Sequence, residues 1–319
     1  MMIRIFFLLV SLISMTAAHA QDWPARPVRI VVNIAAGGVA DVVARLAASA
    51  LAEVLKQPFV VENRAGAEGY IGFEAVARAE PDGYTLVFSP GAYMMISPHL
   101  VQRTDFDPVE MLTPIGPAVR PTLYFVVPTS LPARNVAEFI AYAKASRGKL
   151  NYGSAGTGAI MHVAVEIFKH ETQIQATHVP YKGMGPALND LLGGVFEFMF
   201  DSGPGLAQVK AGKLRLLAVS SVNRHPDFPD VPTFGELGFK DVDGGPYFGL
   251  YSPKGMSSAI VQRLNAEVTK AIYAPETRRR LETMGVELTQ MTPDQFAAYV
   301  RAESNRYRNL LREFGIKKE

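Results

Sequence analysis

The stretch VRIVVNIAAGGVADVVARLAASALAEVLKQ, residues 28–57, carries the pattern on which the fold prediction rests. Its first part, residues 28–35, is a run of β-branched and apolar residues that is typical of a buried strand. Gly37 and Gly38 follow, and residues 39–57 then place apolar side chains at helical spacing. The order strand, glycine turn, helix predicts the first unit of an α/β fold.

Outward from this unit, strands and helices alternate along the chain. Further strands are predicted at residues 59–61, 84–88, 123–127, 150–152, 178–180, 196–200, 214–220 and 247–251. Further helices are predicted at residues 71–79, 136–145, 159–170, 186–192, 258–271, 276–284 and 293–314. Because helices of this length connect the strands, we expect right-handed crossovers and mainly parallel sheets flanked by helices.

The pattern predicts two domains with a ligand cleft between them. A proline-rich passage before residue 123 separates two sets of strands and helices, and the residues after 243 contain little strand. We therefore expect one domain from residues 21–122 and 244–319, with the tail packed on it, and a second domain from residues 123–243. The chain then crosses between domains near residues 121–123 and 243–246, where we expect a hinge.

Composition excludes several classes of protein. The chain has 319 residues, of which 48% are hydrophobic and 19% charged, so it can bury two cores. Its 32 basic and 30 acidic residues nearly cancel and form no basic tract, which argues against nucleic-acid binding. The absence of cysteine excludes disulfides, thiolate metal sites and a catalytic thiol.

The first 20 residues have the features of a secretory signal peptide. Arg4 supplies a positive start, residues 5–15 are mostly apolar, and Ala18-His19-Ala20 forms a cleavage signal before Gln21. The apolar run is shorter than the roughly 20 residues that a membrane-spanning helix needs. No later segment is long and apolar enough to span, so we expect an exported protein that is not embedded in a membrane.

Two glycine-rich turns between a strand and a helix are the candidate binding elements. The first is Ala36–Gly38, with Asp41 in the following helical turn, and the second is Ser154–Gly158, before a helix that carries His162. Such turns lie at the carboxyl ends of strands, where free N–H groups at a helix start favour an anion. By itself each turn is also compatible with a purely structural role.

Sharper catalytic and cofactor motifs are missing. Neither turn matches G-x-G-x-x-G, and Gly212-Lys213 lacks the earlier glycine of a phosphate loop, so we expect no nucleotide cofactor. The flanks of Ser154 break G-x-S-x-G. His162, His170 and His178 are too widely spaced for adjacent helical ligands, so no metal site is expected.

With these motifs in view, the chain resembles the solute-binding proteins of tripartite tricarboxylate transporters, often called the Bug family. The resemblance covers the whole chain after residue 20 and includes several motifs in order. They are Trp23-Pro24, Pro27–Val32, Ala36–Gly38 with Asp41 and Arg45, Val61–Ala67, Pro81–Leu86, Gly148–His162, Val179–Gly183, Leu192–Gly194, Gly212–Arg215, Arg224, and Pro229–Thr233 with Glu236 and Gly238. Many motifs in one order make this resemblance specific.

The resemblance implies a two-domain periplasmic binding protein of type II fold, exported by its leader. It implies a monomeric receptor without enzymatic activity that closes on a small organic acid and delivers it to the large and small membrane subunits of a permease. The ligand-binding residues it implies, apart from the first turn, are Ser89, Pro90, Gly91, Ser154, Ala155, Gly156, Thr157, His162 and Asp201. In the first turn they are Ala36, Gly37 and Gly38. No arginine lies in either turn, which favours a mono- or dicarboxylate held by amides and water.

Several roles stay open at this point. His162 is expected to steady the second turn by a hydrogen bond, with direct ligand contact as the alternative. Asp201 is expected either to face the distal end of the ligand or to be an exposed helix cap. Asp41 is expected to tie the first turn to its helix. Asn33 replaces a common proline and is expected near the cleft mouth.

Two other functions are compatible with the sequence. An exported hydrolase would use Ser154, His162 and Asp201, and an inert ester screen would argue against it. An extracytoplasmic sensor partner would bind the same ligand but dock on a signalling receptor, which pull-down from membranes would identify.

Overall fold

A computed structural model of the chain describes residues 23–101, 103, 105–239 and 241–317. The signal peptide predicted for residues 1–20 lies outside the described residues. The strands are β1 (Val28–Val32), β2 (Phe59–Asn63), β3 (Thr85–Ser89), β4 (Leu112–Pro117), β5 (Val119–Pro121), β6 (Tyr124–Pro128), β7 (Leu150–Ser154), β8 (Ala176–Pro180), β9 (Phe198–Asp201), β10 (Leu214–Val219), β11 (Gly249–Pro253) and β12 (Val286–Leu288). The helices are α1 (Val39–Leu55), α2 (Tyr70–Ala77), α3 (Gly91–Met95), α4 (Pro108–Met111), α5 (Val136–Ala145), α6 (Ile160–Thr172), α7 (Met184–Leu192), α8 (Leu206–Lys210), α9 (Ser258–Tyr273), α10 (Pro275–Thr283) and α11 (Pro293–Glu313). Short 3₁₀ helices cover Ala67–Gly69 and Ser97–His99.

The strands form two five-stranded sheets with the same plan. The first has the order β2-β1-β3-β11-β4 and the second the order β8-β7-β9-β6-β10. In each sheet four strands run in one direction, and one strand, β11 or β6, pairs antiparallel with both neighbours. The reversed strand β6 is the one by which the chain enters the second sheet, and β11 is the one by which it returns to the first sheet. This arrangement confirms the predicted α/β fold with mainly parallel sheets flanked by helices.

The first strand and helix form as their side-chain pattern predicts. Every residue of β1 except Arg29 is buried, as expected for an inner strand with neighbours on both sides. The buried face of α1 includes Val43, Ala47 and Leu51 and packs on this sheet. The helix ends at Lys56, which adopts a left-handed conformation. These two elements fix the turn between them at one end of the sheet.

The proline-rich passage that separates the two sets of predicted elements contains two strands that were not predicted, β4 and β5. Pro114 and Pro117 lie in β4, which is the edge strand of its sheet. An edge strand tolerates a missing N–H group, and the register with β11 shifts next to Pro114. The ribbon of β5 and β12 was also missed, in which a strand directly after β4 pairs antiparallel with one that follows the last strand of both sheets.

The two sheets are covered by different cores. The second sheet packs an aromatic cluster around Phe125, whose ring lies 4.9 Å from that of Phe139 and stacks on that of Phe200 at 5.2 Å. The core between α1, α9 and the first sheet is instead mainly aliphatic. Both cores exclude water from the strands, so the strand ends and their turns are the parts of each sheet left for ligand contact.

The terminal helix α11 contacts both halves of the molecule. Its Phe296 and Val300 pack in a cluster beside the first sheet, as the sequence predicted for the tail. Tyr307 and Leu311, farther along the same helix, pack in the aromatic core of the second sheet. Helix α11 therefore joins hydrophobic clusters on both sides of the predicted domain boundary.

Candidate functional site

The first glycine turn joins β1 to α1 and is exposed. Ala36 and Gly37 are open to solvent, and Gly37 has a φ of +87°, a left-handed conformation that glycine adopts without strain. The backbone N–H of Gly37 donates to Oδ2 of Asp41 at 2.9 Å. Asp41 therefore ties this turn to the start of its helix, as predicted.

A small ionic network holds the Asp41 carboxylate in place. Arg45 Nε donates to both carboxylate oxygens at 3.1 Å, and Asn63 Nδ2 donates to Oδ1 at 2.8 Å. Burial opposes ionisation of this side chain, but the hydrogen bonds from Arg45, Gly37 and Asn63 outweigh it and lower the pKa of Asp41 to about 2. The first turn is thus held by an ion pair in which the negative charge of Asp41 is balanced by Arg45.

The end of β3 is the next predicted site element, and it consists of Ser89, Pro90 and Gly91. Ser89 is fully buried, donates its hydroxyl to the carbonyl of Pro90 at 3.0 Å and accepts from Asn33 Nδ2 at 3.0 Å. Gly91 packs against the chain segment at residues 243–246, since a Cβ on Gly91 would be 2.3 Å from the carbonyl oxygen of Pro246. Asn33 itself is completely buried, so its predicted place near the cleft mouth was wrong.

The second glycine turn joins β7 to α6 and is braced by side chains from inside the domain. The hydroxyl of Ser154 accepts from the N–H of Gly156 at 3.2 Å and donates to the carbonyl of the same residue at 3.0 Å. It also lies 2.6 Å from Nε2 of His178, which belongs to the neighbouring strand β8. Ser154 is therefore fully engaged within the protein.

His162 holds the other end of this turn. Its Nδ1 accepts the backbone N–H of Gly158 at 2.9 Å, which is the steadying hydrogen bond that the sequence suggested. The ring is buried, and burial, together with the positive charge of Lys169, lowers the pKa of His162 to about 4. The imidazole is neutral at pH 7 and can act as this acceptor.

His178 also braces the second turn, although it was not among the predicted site residues. Its ring stacks on that of His162, with the centroids 3.8 Å apart and the planes at 7°, and the ring of Tyr152 lies 5.0 Å from it. Burial, with a smaller contribution from His162, lowers the pKa of His178 to about 4. Strand register is the signal that identifies it, because His178 pairs directly with Tyr152 across β7 and β8.

Asp201 ends β9 and is fully buried rather than exposed. Its Oδ2 accepts from the N–H groups of Gly203 at 2.7 Å and Gly205 at 2.9 Å, just before α8. Its other oxygen has no hydrogen-bond partner among the described residues, and burial raises the pKa of the carboxyl. The prediction of an exposed cap was therefore wrong about exposure, while the backbone contacts are those of a cap.

The three residues of the alternative hydrolase do not form a hydrogen-bonded chain in the described structure. Ser154 contacts His178, whereas His162 accepts from a backbone amide and Asp201 from two glycines. Among the residues that the structure describes, no group of His, Asp and Glu side chains is arranged to hold a metal ion.

A cavity of about 380 Å³ brings the second turn against the first half of the chain. Its lining includes Ala155, Gly156 and Thr157 of the predicted site. The opposite side contains Tyr93 and Leu100, from α3 and the segment after it, which the sequence analysis did not select. The cavity is thus lined from both sides of the proposed domain boundary.

Helix length gives no sign of a membrane span. In the portion of the chain that the structure covers, every helix is too short or too polar to cross a bilayer.

Comparison with known proteins places this architecture in a family. A family model described as tripartite tricarboxylate transporter family receptor matches residues 43–316. BugT of Bordetella pertussis is 34% identical over 300 residues, covering 93% of this chain and 92% of BugT. R. palustris Rpa4515, solved with adipate, is 33% identical with a TM-score of 0.77, covering 93% of this chain and 99% of that one. MatC from Rhodopseudomonas palustris, solved with malate, is 30% identical with a TM-score of 0.72, covering 91% and 100%.

The structural match extends over both sheets, and the matched proteins include periplasmic binding proteins of two-domain fold. The chain therefore belongs to the family of tripartite tricarboxylate transporter receptors.

Proposed function

We propose that this protein is a periplasmic receptor that binds a small mono- or dicarboxylate in the cleft between its two domains and delivers it to a transporter permease. Family membership supports the receptor role, and the adipate and malate complexes of similar proteins support the ligand class. The observation that carries the proposal for this chain is the cavity lined by the amide-rich second turn. Binding and delivery require no chemistry at the ligand, so we propose no enzymatic activity.

The amides of the second turn differ in their availability. Those of Gly156 and Gly158 already donate to Ser154 and His162. Among the described residues, the N–H groups of Ala155 and Thr157 have no such acceptor, and both residues line the cavity. We therefore assign the ligand carboxylate to Ala155 and Thr157, with Ser154, Gly156 and His162 holding the turn in shape. Neutral amides and water hold a carboxylate without an immobile positive charge, which permits release.

The first turn is the second contact in this proposal. It offers backbone N–H groups beside an Asp41 whose charge is balanced by Arg45. The wall from Ser89 to Gly91 closes the same end of the first sheet. The compensated carboxylate does not repel an anionic ligand as strongly as a free one.

We keep the domain division predicted from the sequence, with one domain from residues 21–122 and 244–319 and the other from residues 123–243. Its hinge is formed by the two segments that cross between the domains, near residues 121–123 and 243–246. Arg120 joins them, since it donates to Glu287 at 2.8 Å and to Asp243 at 3.3 Å. Gly244 lies so close to Pro121 that a Cβ would be 1.9 Å from its carbonyl oxygen. Rigid-body closure requires the backbone to bend at these crossovers while each domain keeps its shape.

A thermal-shift screen of the exported form tests the proposal. The panel contains C4 to C8 dicarboxylates including adipate, malate, citrate, aromatic carboxylates and acidic amino acids. A ligand that binds the native state alone raises the melting midpoint once its concentration exceeds Kd. We expect a shift with one class of mono- or dicarboxylate, and mass spectrometry of the denatured protein identifies any acid that copurifies.

A charge-reversal pair localises the binding. Ala155→Asp places a carboxylate in the cavity, and like-charge contact is expected to weaken binding about tenfold or more. Ala207→Asp makes the same change on the exposed surface of α8 and is expected to leave binding unchanged. No shift with any acid and no copurified acid, or equal binding by both variants, contradicts the proposal.

A further inference from the structure

The stacked histidines behind the second turn form a cluster that ligand contact alone does not explain. His162 lies on α6 and His178 on β8, and they meet face to face at 3.8 Å. His162 contacts the backbone of Gly158, and His178 contacts the hydroxyl of Ser154. The same hydroxyl accepts the N–H of Gly156, so His178 also acts on that residue indirectly. Two separate elements of the domain thus converge on the segment that lines the cavity.

The hydrogen-bond network assigns the protons of both rings. Because Nδ1 of His162 accepts from Gly158, the proton of the neutral ring is on Nε2. Because the Ser154 hydroxyl donates to the carbonyl of Gly156, Nε2 of His178 is the donor to Ser154. The brace therefore requires a neutral His162, since a protonated Nδ1 cannot accept the Gly158 amide.

The charged groups around the stack do not favour an imidazolium. Glu166 lies 4.0 Å from Nε2 of His162, but it already accepts from Lys169 at 2.7 Å and from the hydroxyl of Tyr152. Lys169 adds positive charge from the same helix, and the ring of Tyr152 lies beside that of His178, with the centroids 5.0 Å apart. Two positive rings at the stacking distance would also repel each other.

We infer that His178 is a positioning residue for the ligand turn, and that its stack with His162 makes this turn acid-labile. The uncharged pair holds Ser154, Gly156 and Gly158 in the shape that presents Ala155 and Thr157 to the cavity. Protonation removes the acceptor for Gly158, separates the rings and loosens the turn, so a bound organic acid is released. This inference rests on the proposed function for its ligand, but the behaviour of the turn is independent of it.

Amide exchange in the ligand-free protein tests the turn directly. NMR protection factors, corrected for intrinsic exchange, are measured for Gly156 and Gly158 between pH 7 and 4. His178→Phe keeps a stacked ring but loses the bond to Ser154, and we expect Gly156 to exchange about fivefold faster at pH 7, as for one lost hydrogen bond. His178→Gln supplies an uncharged donor and is expected to restore protection.

The acid response has its own variants. In the wild-type protein we expect Gly158 to lose about fivefold or more of its protection as pH falls from about 6.5 to 4. His162→Gln carries no titratable ring and is expected to show no such fall, whereas His225→Gln, outside the stack, behaves as wild type. Adipate and malate affinities measured on the same variants are expected to follow the turn, and comparison at one pH cancels titration of the acid itself.

Equal protection of Gly156 in wild type and His178→Phe, or the same acid response in wild type and His162→Gln, overturns the inference. If a variant does not fold, the wild-type imidazole signals decide, because rings that titrate without any change at Gly156 and Gly158 overturn it as well. If the turn responds as expected but neither acid binds, the proposed function fails and the positioning role stands.

Discussion

The two glycine turns occupy equivalent places in the two sheets but are braced by opposite chemistry. The turn at Gly37 is exposed and depends on the ionised Asp41, paired with Arg45. The turn at Gly156 depends on Ser154 and on two neutral, stacked histidines. The same topology therefore presents amides at both turns, while the first brace requires a charge and the second requires its absence.

Removing the charge of the first brace is expected to have the largest effect. Asp41→Ala removes an acceptor from the amide of Gly37, the guanidinium of Arg45 and the side-chain amide of Asn63, the last two of which keep a second partner, and we expect a loss of about 3 kcal/mol in the free energy of unfolding. Urea unfolding measures it. Arg278→Ala breaks an exposed pair with Glu282 and is the control, with a much smaller expected loss because solvent screens this pair. Similar losses in both variants would show that the first turn is not held by its charge.

Adding one methyl group to each turn compares how tightly the two are packed. Gly158 has a φ of +77° and a Cβ there would lie 2.0 Å from Leu100, so Gly158→Ala is expected to cost about 2 kcal/mol. Gly37 has a φ of +87° but open space around it, so Gly37→Ala is expected to cost about 1 kcal/mol from backbone strain alone. Equal losses, measured by urea unfolding of both variants, would contradict the view that only the second turn is packed against the opposite domain.

The two braces are expected to lose their contributions to stability in different pH ranges. The pKa values of His162 and His178 are lowered to about 4 from an ordinary value near 6.5, so the unfolded chain binds protons first as pH falls. Stability is then lost between about pH 6.5 and 4, by about 2.5 kcal/mol or less for each histidine. The pKa of Asp41 is about 2, so its contribution is lost only between about pH 4 and 2.

Urea unfolding across this pH range is the measurement, with His162→Gln/His178→Gln as the variant. We expect the double variant to be flatter than wild type between pH 6.5 and 4 and parallel to it below that range. Parallel curves throughout would show that the stacked histidines do not titrate with these shifts.

The smallest expected effect comes from substituting the buried serines Ser154 and Ser89. Ser154→Ala removes one hydroxyl from the second brace and is expected to cost about 1 kcal/mol in stability, with weaker binding of the carboxylate. Ser89→Ala removes a hydroxyl that is equally buried but lies in the wall at Asn33, and its effect on affinity is expected to be smaller. Calorimetric titration of both variants checks the order, and a larger affinity loss for Ser89→Ala would reverse the assignment.

Local sequence patterns predicted the parts of the fold that depend on neighbouring residues. The alternation of strands and helices, the first turn and the link from Asp41 to Gly37 all lie within a few residues of each other. The strand β4 was missed because its prolines disfavour an inner strand, and only the sheet order shows that it lies at an edge.

The candidate site was predicted less completely because its second brace is built across strands. His178 reaches Ser154 only through the register of β7 with β8, which no local pattern specifies. Asn33 was expected near the mouth, but its bond to Ser89 places it inside. The cavity wall at Tyr93 and Leu100 likewise depends on how the two halves of the chain face each other.

The most direct test of the account is a titration of the labelled protein with the acid that the screen identifies, followed through its backbone amide signals. We expect the largest downfield shifts at the N–H groups of Ala155 and Thr157, with smaller changes at Gly156 and Gly158, whose donors are already engaged. Largest shifts elsewhere, such as at the cavity lined by Thr122 and Tyr247, would contradict the assignment of the second turn as the carboxylate site.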